Sequence, residues 1–208
     1  NGNGKRVYAD GSVYDGQWRD GEPHGKGTEV SVGGATYVGD FVEGKRHGKG
    51  KFKSPTGDLY DGDYREGKKT GYGSYKFSSG ESYVGNIRDG KQHGQGRYVT
   101  EDGDVYEGQW VDDARHGKGK YFWPGGNRHE GTFVQGMITG FGKRYCANGQ
   151  RYEGEWLNDK MHGSGTMHLS GTQTRHHVFR GLKYRHGKLL NPVTIELPDG
   201  STSTLKAD

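Results

Sequence analysis

The sequence predicts an all-β chain, an elongated antiparallel meander of 23-residue β-hairpins forming a single twisted ribbon. Three observations predict it. A pattern beginning Tyr152-Glu153-Gly154-Glu155-Trp156 and continuing to His162-Gly163-Ser164-Gly165 recurs every 23 residues without insertion or deletion. Apolar and polar residues alternate within each copy, the period of a strand. Acid-Gly and Asn-Gly pairs, strong turn signals, separate the alternating runs.

Seven copies start at Tyr14, Tyr37, Tyr60, Tyr83, Tyr106, His129 and Tyr152 and together span 14–166. Such strict self-similarity identifies a stacked array before any other inference. Counting each start as offset zero, offsets 0, 2 and 4 read aromatic, Gly, aromatic. The expected core is therefore Tyr14, Trp18, Tyr37, Phe41, Tyr60, Tyr64, Tyr83, Tyr106, Trp110, Phe133, Tyr152 and Trp156. A second run carries Gly at offsets 11 and 13 and often an aromatic at 15, as in Phe52, Tyr75, Tyr98 and Tyr121. Asp20-Gly21, Glu43-Gly44, Glu66-Gly67 and Asp89-Gly90 join the runs, and Asp102-Gly103 and Asn148-Gly149 join repeats. Fourteen strands at about 4.8 Å give a ribbon on the order of 65 Å long.

Composition agrees. Only 28% of the 208 residues are hydrophobic and 41 are Gly, with a mean hydropathy of -1.08. Without periodicity this would read as disorder. The core must come from 14 Tyr, 7 Phe and 4 Trp, whose rings each bury a large area. Glycine within a strand offers nothing to pack. Its regular place on the aromatic face therefore predicts that Gly16, Gly25, Gly27 and their equivalents make room for rings or backbone, and that Gly108→Val lowers stability sharply.

At the ends the pattern changes. Gly2 and Gly4 occupy the places of Gly25 and Gly27, so residues 1–13 read as the second half of an upstream repeat, in a fragment of a longer array. Residues 167–208 read as a degenerate eighth repeat, resumed four residues late at Phe179-Arg180-Gly181 with Lys183 where an aromatic belongs. A short capping or dimerisation strand, Val193 to Leu197, follows between Pro192 and Pro198.

These residues carry a resemblance. Tyr-x-Gly-x-aromatic followed by His-Gly-x-Gly, in steps of 23 over residues 1–166, resembles the membrane occupation and recognition nexus (MORN) repeat. The resemblance implies an elongated sheet of hairpins acting as a scaffold, dimer or membrane-adjacent adaptor. It is nearest in character to the all-repeat cytoskeletal scaffold proteins of protozoa, which implies a cytoplasmic, cytoskeletal protein on or near a membrane face.

Function classes narrow in parallel. A net charge of +4 is too small to indicate a nucleic-acid partner, and the aromatics are committed to packing. No apolar run reaches the roughly 20 residues of a membrane-spanning helix. Carboxylates and histidines duplicated along an array do not form the unique convergence that catalysis needs, so the sequence indicates no enzyme and no cofactor. The single Cys146 fits a reducing compartment.

Three surfaces are candidates. Offsets 8 and 9 place Lys45, Arg46, Lys68, Lys69, Lys91, Arg115 and Lys160 at hairpin tips, where they could meet anionic phospholipid or simply be solvated charges that protect sheet edges. Offset 6 opposes them with Asp20, Glu43, Glu66, Asp89 and Asp112. Repeats three and six depart together, as Thr70-Gly71-Tyr72-Gly73 and Thr139-Gly140-Phe141-Gly142. Met137, Ile138 and Phe141, with Phe179, Val193, Ile195 and Leu197, are the candidate homodimer surface, the alternative being that Phe141 packs locally. The histidines at offset 10 (His24, His47, His93, His116, His162) lie too far apart to share one zinc, about 9 to 10 Å, and are expected to fix hairpin tips by hydrogen bonds. A zinc site between subunits would draw on Cys146 with His129, His162, or the pair His176 and His177, although one Cys and no ligand-spacing motif speak against it.

Overall fold

The computed structural model describes residues 1–169, 177–196 and 202–206. Strand β1 (Gly2–Val7) precedes seven hairpins. They are β2 (Val13–Arg19) with β3 (Glu22–Val30), β4 (Thr36–Val42) with β5 (Lys45–Lys53), β6 (Leu59–Arg65) with β7 (Lys68–Lys76), β8 (Ser82–Arg88) with β9 (Lys91–Val99), β10 (Val105–Val111) with β11 (Ala114–Phe122), β12 (Arg128–Val134) with β13 (Met137–Ile138) and β14 (Gly140–Tyr145), and β15 (Arg151–Leu157) with β16 (Lys160–Leu169). Then come β17 (His177–Arg185), β18 (Lys188–Leu189), β19 (Val193–Glu196) and β20 (Thr202–Leu205). Eighteen strands form one antiparallel meander, and β19 pairs with β20 in a separate two-stranded sheet. The described residues contain no helix, hence none long and apolar enough to cross a membrane. Two compact units arise, Asn1–Glu101 with Trp110–Asp113, and Asp102–Gln109 with Ala114–Asp208.

The hairpin turns need two successive residues of positive φ, the type I′ geometry whose twist matches the flanking strands. Asp20 and Gly21 have φ of 50° and 83°, and Glu43 and Gly44 48° and 72°. Asp113 and Asp159 replace the glycine at φ 69° and 66°. Their carboxylates accept the backbone N–H of Gln92 and Ile138, each at 2.8 Å, a bond that offsets the strain. Each tip is also tied to the previous one: Gly67 N–H donates to the Arg46 carbonyl, Gly90 to Lys69, and in the second unit Gly136 to Arg115.

The core of each hairpin is one ring over two glycines, a tyrosine in all but the β12 hairpin, where His129 takes its place. In β2, Tyr14 is 1% exposed, and Gly16 faces Gly27 across the strand pair. A Cβ on Gly16 would lie 2.5 Å from the Gly27 Cα, and one on Gly27 2.5 Å from the Tyr14 ring. The room expected of these glycines is thus filled by ring and partner backbone. The offset-11 glycine serves a different end. At φ 67°, Gly25 turns the chain through a bulge, with a register shift between Gly16 and Trp18. The bulge frees a carbonyl, and the tyrosine hydroxyl donates to it: Tyr14 to Gln17 at 2.8 Å, Tyr83 to Asn86 at 2.7 Å, Tyr106 to Gln109 at 2.9 Å. Phe could fill the space but not bind that oxygen.

Rings then chain repeat to repeat. Tyr14 meets Trp18 at 5.1 Å and Phe41 at 4.9 Å, and Tyr37 meets Phe41 at 5.1 Å and Tyr64 at 4.9 Å, all edge to face. In the second unit Tyr106 meets Phe133, and Tyr152 meets both Trp156 and Tyr184. Burying one such ring is worth about 1.5–3 kcal/mol, with about 0.5–1.5 more per favourable ring pair. Eleven of the twelve expected core residues are buried, none of them more than 5% exposed, and Trp18 is half-buried.

Two details of the eighth repeat differ from expectation. Gly163 pairs with Tyr184 just as Gly25 pairs with Phe41, so Tyr184, 5% exposed, is the aromatic whose place the repeat count assigns to Lys183. A bulge between Gly165 and Met167 moves the register by one residue. The terminal strand at Val193 does not extend the large sheet, because Thr202–Leu205 pairs with it locally.

Candidate functional site

Each strand pair has an aromatic face and an opposite face, and the bulge decides which face the tip residues join. Because Trp18 pairs with Pro23, and Phe41 with Arg46, offset 9 belongs to the aromatic face. Arg46 lies over the Tyr37 and Phe52 rings, at 4.9 and 5.4 Å, and its Nε binds Glu29 at 2.9 Å. The Lys69 ammonium sits 4.7–4.8 Å from the Phe52, Tyr60 and Tyr75 rings. Burial, then the nearby Arg46 charge, lowers its pKa. Arg115 covers Tyr106, Tyr121 and Phe133. Cation–π contact on partly dry rings is worth about 0.5–2 kcal/mol.

The seven basic tip residues therefore separate into two rows. Lys45, Lys68, Lys91 and Lys160 are exposed at the tips. Lys45 binds Glu66 at 2.8 Å and Lys68 lies 3.3 Å from Asp89, both acids of the next hairpin. Arg46, Lys69 and Arg115 form the half-buried second row, turned onto rings.

At offset 3 the structure shows a role that alternation alone did not suggest. The side chain of Gln17, Asp40, Asp63, Asn86, Gln109 or Glu155 accepts the bulge N–H nine residues on, at 2.8–3.2 Å. The signal was present, since every one of these positions carries a side-chain oxygen. The offset-10 histidines behave otherwise than expected. The buried Nδ1 atoms of His47, His93 and His162 have no hydrogen-bond partner, while the backbone carbonyls of His47 and His116 accept tyrosine hydroxyls at 3.4 and 3.3 Å. It is the backbone at offset 10 that helps hold the tip.

Among the candidate dimer residues, Met137 is 38% and Phe141 58% exposed, whereas Ile138 is 5% exposed. Ile138 occupies the offset-9 place on the aromatic face and is a core residue, not a contact surface. Val193 is half-buried in the terminal hairpin. Leu197 and His176 lie outside the described residues, as do the side chains of Phe179, His177 and Ile195. For zinc, Cys146 is a half-exposed free thiol and His162 contacts His186, ring centroids 5.6 Å apart. His129 is fully buried between Phe133 and Trp156, with neither ring nitrogen hydrogen-bonded. Burial, then the Arg144 charge, lowers its pKa to about 4. No group of three or more His, Cys, Asp or Glu that could hold a metal occurs among the described residues.

The MORN repeat family model matches eight consecutive segments, 1–13, 14–36, 37–59, 60–82, 83–105, 106–128, 129–151 and 152–171. The chain belongs to the MORN repeat family. No curated protein matches it. Solved structures with a similar fold include the following two. The TCP10 domain of Danio rerio CPAP is 12% identical, with a TM-score of 0.47 and coverage of 99% of this chain and 90% of that one. The SAS-4 TCP domain of Drosophila melanogaster, in complex with a proline-rich motif, is 8% identical, with a TM-score of 0.46 and coverage of 98% and 89%. Likeness at this level carries no weight for function.

On the opposite face, the first unit of the MORN array holds a groove of ≈ 580 Å³ lined by residues of β4 to β8. Val38, Leu59 and Val84 stand exposed in it at 50%, 43% and 43%. The corresponding face of the second unit is a ladder of ion pairs. Glu130 binds Arg128 at 3.2 Å and lies 4.0 Å from Lys120, while Glu153 binds Arg151 at 2.8 Å and Lys143 at 3.1 Å.

Proposed function

We propose that this MORN protein is a non-enzymatic scaffold that self-associates and presents its sheet faces to protein partners in cytoskeletal or membrane-adjacent assemblies. The observation that carries the reading is where the recurrent polar groups go. Tyrosine hydroxyls, offset-3 side chains and tip amides bind within hairpins and between neighbours, which stiffens the array and leaves its surfaces to do the work. Self-association falls to Met137 and Phe141, which remain exposed and apolar in the second unit.

Light scattering on the size-fractionated chain at micromolar concentration tests this. The expected result is a dimer that becomes a monomer on combining Met137→Ser with Phe141→Ser. A monomeric parent chain, or a dimer that ignores both substitutions, would refute the assignment. Recognition of anionic phospholipid has less support, because two of the exposed tip lysines already pair with acids and three of the seven cations lie over rings. Flotation with anionic and with neutral liposomes compares the two readings, and headgroup-selective uptake would favour lipid.

A further inference from the structure

We infer that the grooved face of the first unit binds an extended segment of a partner protein rich in carboxylates and branched aliphatic side chains. This deepens the scaffold reading and rests on it. Two adjacent cross-strand rows build the groove. Strand register places Lys53 opposite Leu59 and Leu59 opposite Lys76, so that one leucine lies between two lysines. In the next row Asp61 lies between Lys51 and Ser74, with Val38 and Val84 at its ends. Side chains at these positions share the face opposite the buried tyrosines, because successive residues of a strand point to opposite sides.

Offset 1 explains why this face differs from that of the second unit. Glu130 and Glu153 occupy it there, and each holds two cations. Here the position reads Val38, Asp61, Val84. Asp61 pairs with Lys51 at 3.0 Å, and neither Lys53 nor Lys76 has an ion pair among the described residues. Two valines where the repeat otherwise places acids thus create an apolar strip, and Lys53 and Lys76, which flank Leu59 beside it, carry no ion pair among the described residues. A ligand that fits must return both features: aliphatic groups for the strip and acids for Lys53 and Lys76. The lysines lie two strands apart, about 10 Å, as do successive aliphatic residues. That repeat suits an extended chain laid across the strands, and the lysine charges suit an acidic one.

Fluorescence anisotropy with the full chain and three labelled short peptides tests the assignment. One peptide intersperses Leu and Val with Glu, a second replaces every Glu with Lys, and a third replaces every Leu and Val with Ser. The expected result is saturable, salt-sensitive binding of the first alone. Combining Lys53→Glu with Lys76→Glu, or Val38→Ser with Val84→Ser, should weaken it about tenfold, with melting unchanged because these side chains are exposed. Absence of binding, equal binding of the Lys peptide, or binding indifferent to both variants overturns the inference. A dimer abolished by Leu59→Glu would give the groove to a second copy, and uptake by phosphatidylserine vesicles lost in that variant would give it to a membrane; either outcome overturns it. Failure of the peptide with self-association through Met137 and Phe141 intact refutes the groove alone. A monomer that binds the acidic peptide refutes self-association alone.

Discussion

Gly108→Ala is the sharpest test of the core, since it adds one methyl to a residue whose φ an alanine could adopt. In the structure that methyl would lie 2.6 Å from both the Gly119 Cα and the Tyr106 hydroxyl, and 2.7 Å from the Lys118 carbonyl oxygen. Two of these atoms are backbone and cannot swing aside, so the strand pair must part or the ring must lift. Tyr106 is 1% exposed, donates to the Gln109 carbonyl at 2.9 Å and packs on Phe133 at 5.0 Å. Overpacking costs about 1–3 kcal/mol. Losing the hydroxyl bond adds about 1, and the ring pair about 0.5–1.5. The total is about 3–5 kcal/mol, a fall in Tm on the order of 10 °C for a chain of this size. Urea unfolding followed by near-ultraviolet circular dichroism, which reports packed rings, measures it. Gly125→Ala is the control, because its Cβ would meet nothing within 4 Å, and it should stay within about 0.5 kcal/mol of the parent. A Gly108→Ala effect no larger than the control's would refute the account of the glycines.

Two other perturbations separate features of the array. The folded-state pKa of His129 is lowered to about 4 from an ordinary 6.5, so the unfolded chain takes up its proton first as pH falls. The neutral ring's contribution is fully present above about pH 6.5 and is lost as pH falls towards 4, about 3 kcal/mol in all. Of the charges that face it, Arg144 opposes protonation while Asp159 and Glu130 favour it. His129→Phe keeps a ring without a titration and should remove that part of the slope in urea unfolding between pH 7.5 and 4.5; an unchanged slope would contradict the burial argument. Neighbouring lysines should differ in the same assay at neutral pH. Lys68→Ala removes an exposed pair and should cost under about 0.5 kcal/mol, whereas Lys69→Ala uncovers three rings and should cost about 1–2. Equal costs would mean that the offset-9 row is not packed as described.

The hairpins, their turns and the aromatic core were legible in the sequence because each depends on local features: alternation, acid-Gly pairs, and Tyr-x-Gly recurring at fixed spacing. The side on which each tip residue lies was not. A bulge in the second strand, made possible by a glycine at positive φ, places Arg46, Lys69 and Arg115 over rings, although offset alone put them beside the exposed Lys45 and Lys68. The same kind of bulge turns Ile138 into the core, and a one-residue shift between β16 and β17 brings Tyr184 rather than Lys183 to the aromatic place. His129 shows the limit from the other direction: its place at offset 0 predicts burial, but not the absence of partners for both nitrogens. By itself the sequence determined the repeat, the strand pairing and which rings are inside, since these follow from residue type and period. Only the tertiary structure decided which cations lie on the core face and which lysines of the groove stand without an ion pair among the described residues, because both depend on cross-strand register, and register follows from bulges whose effect is felt on neighbouring strands.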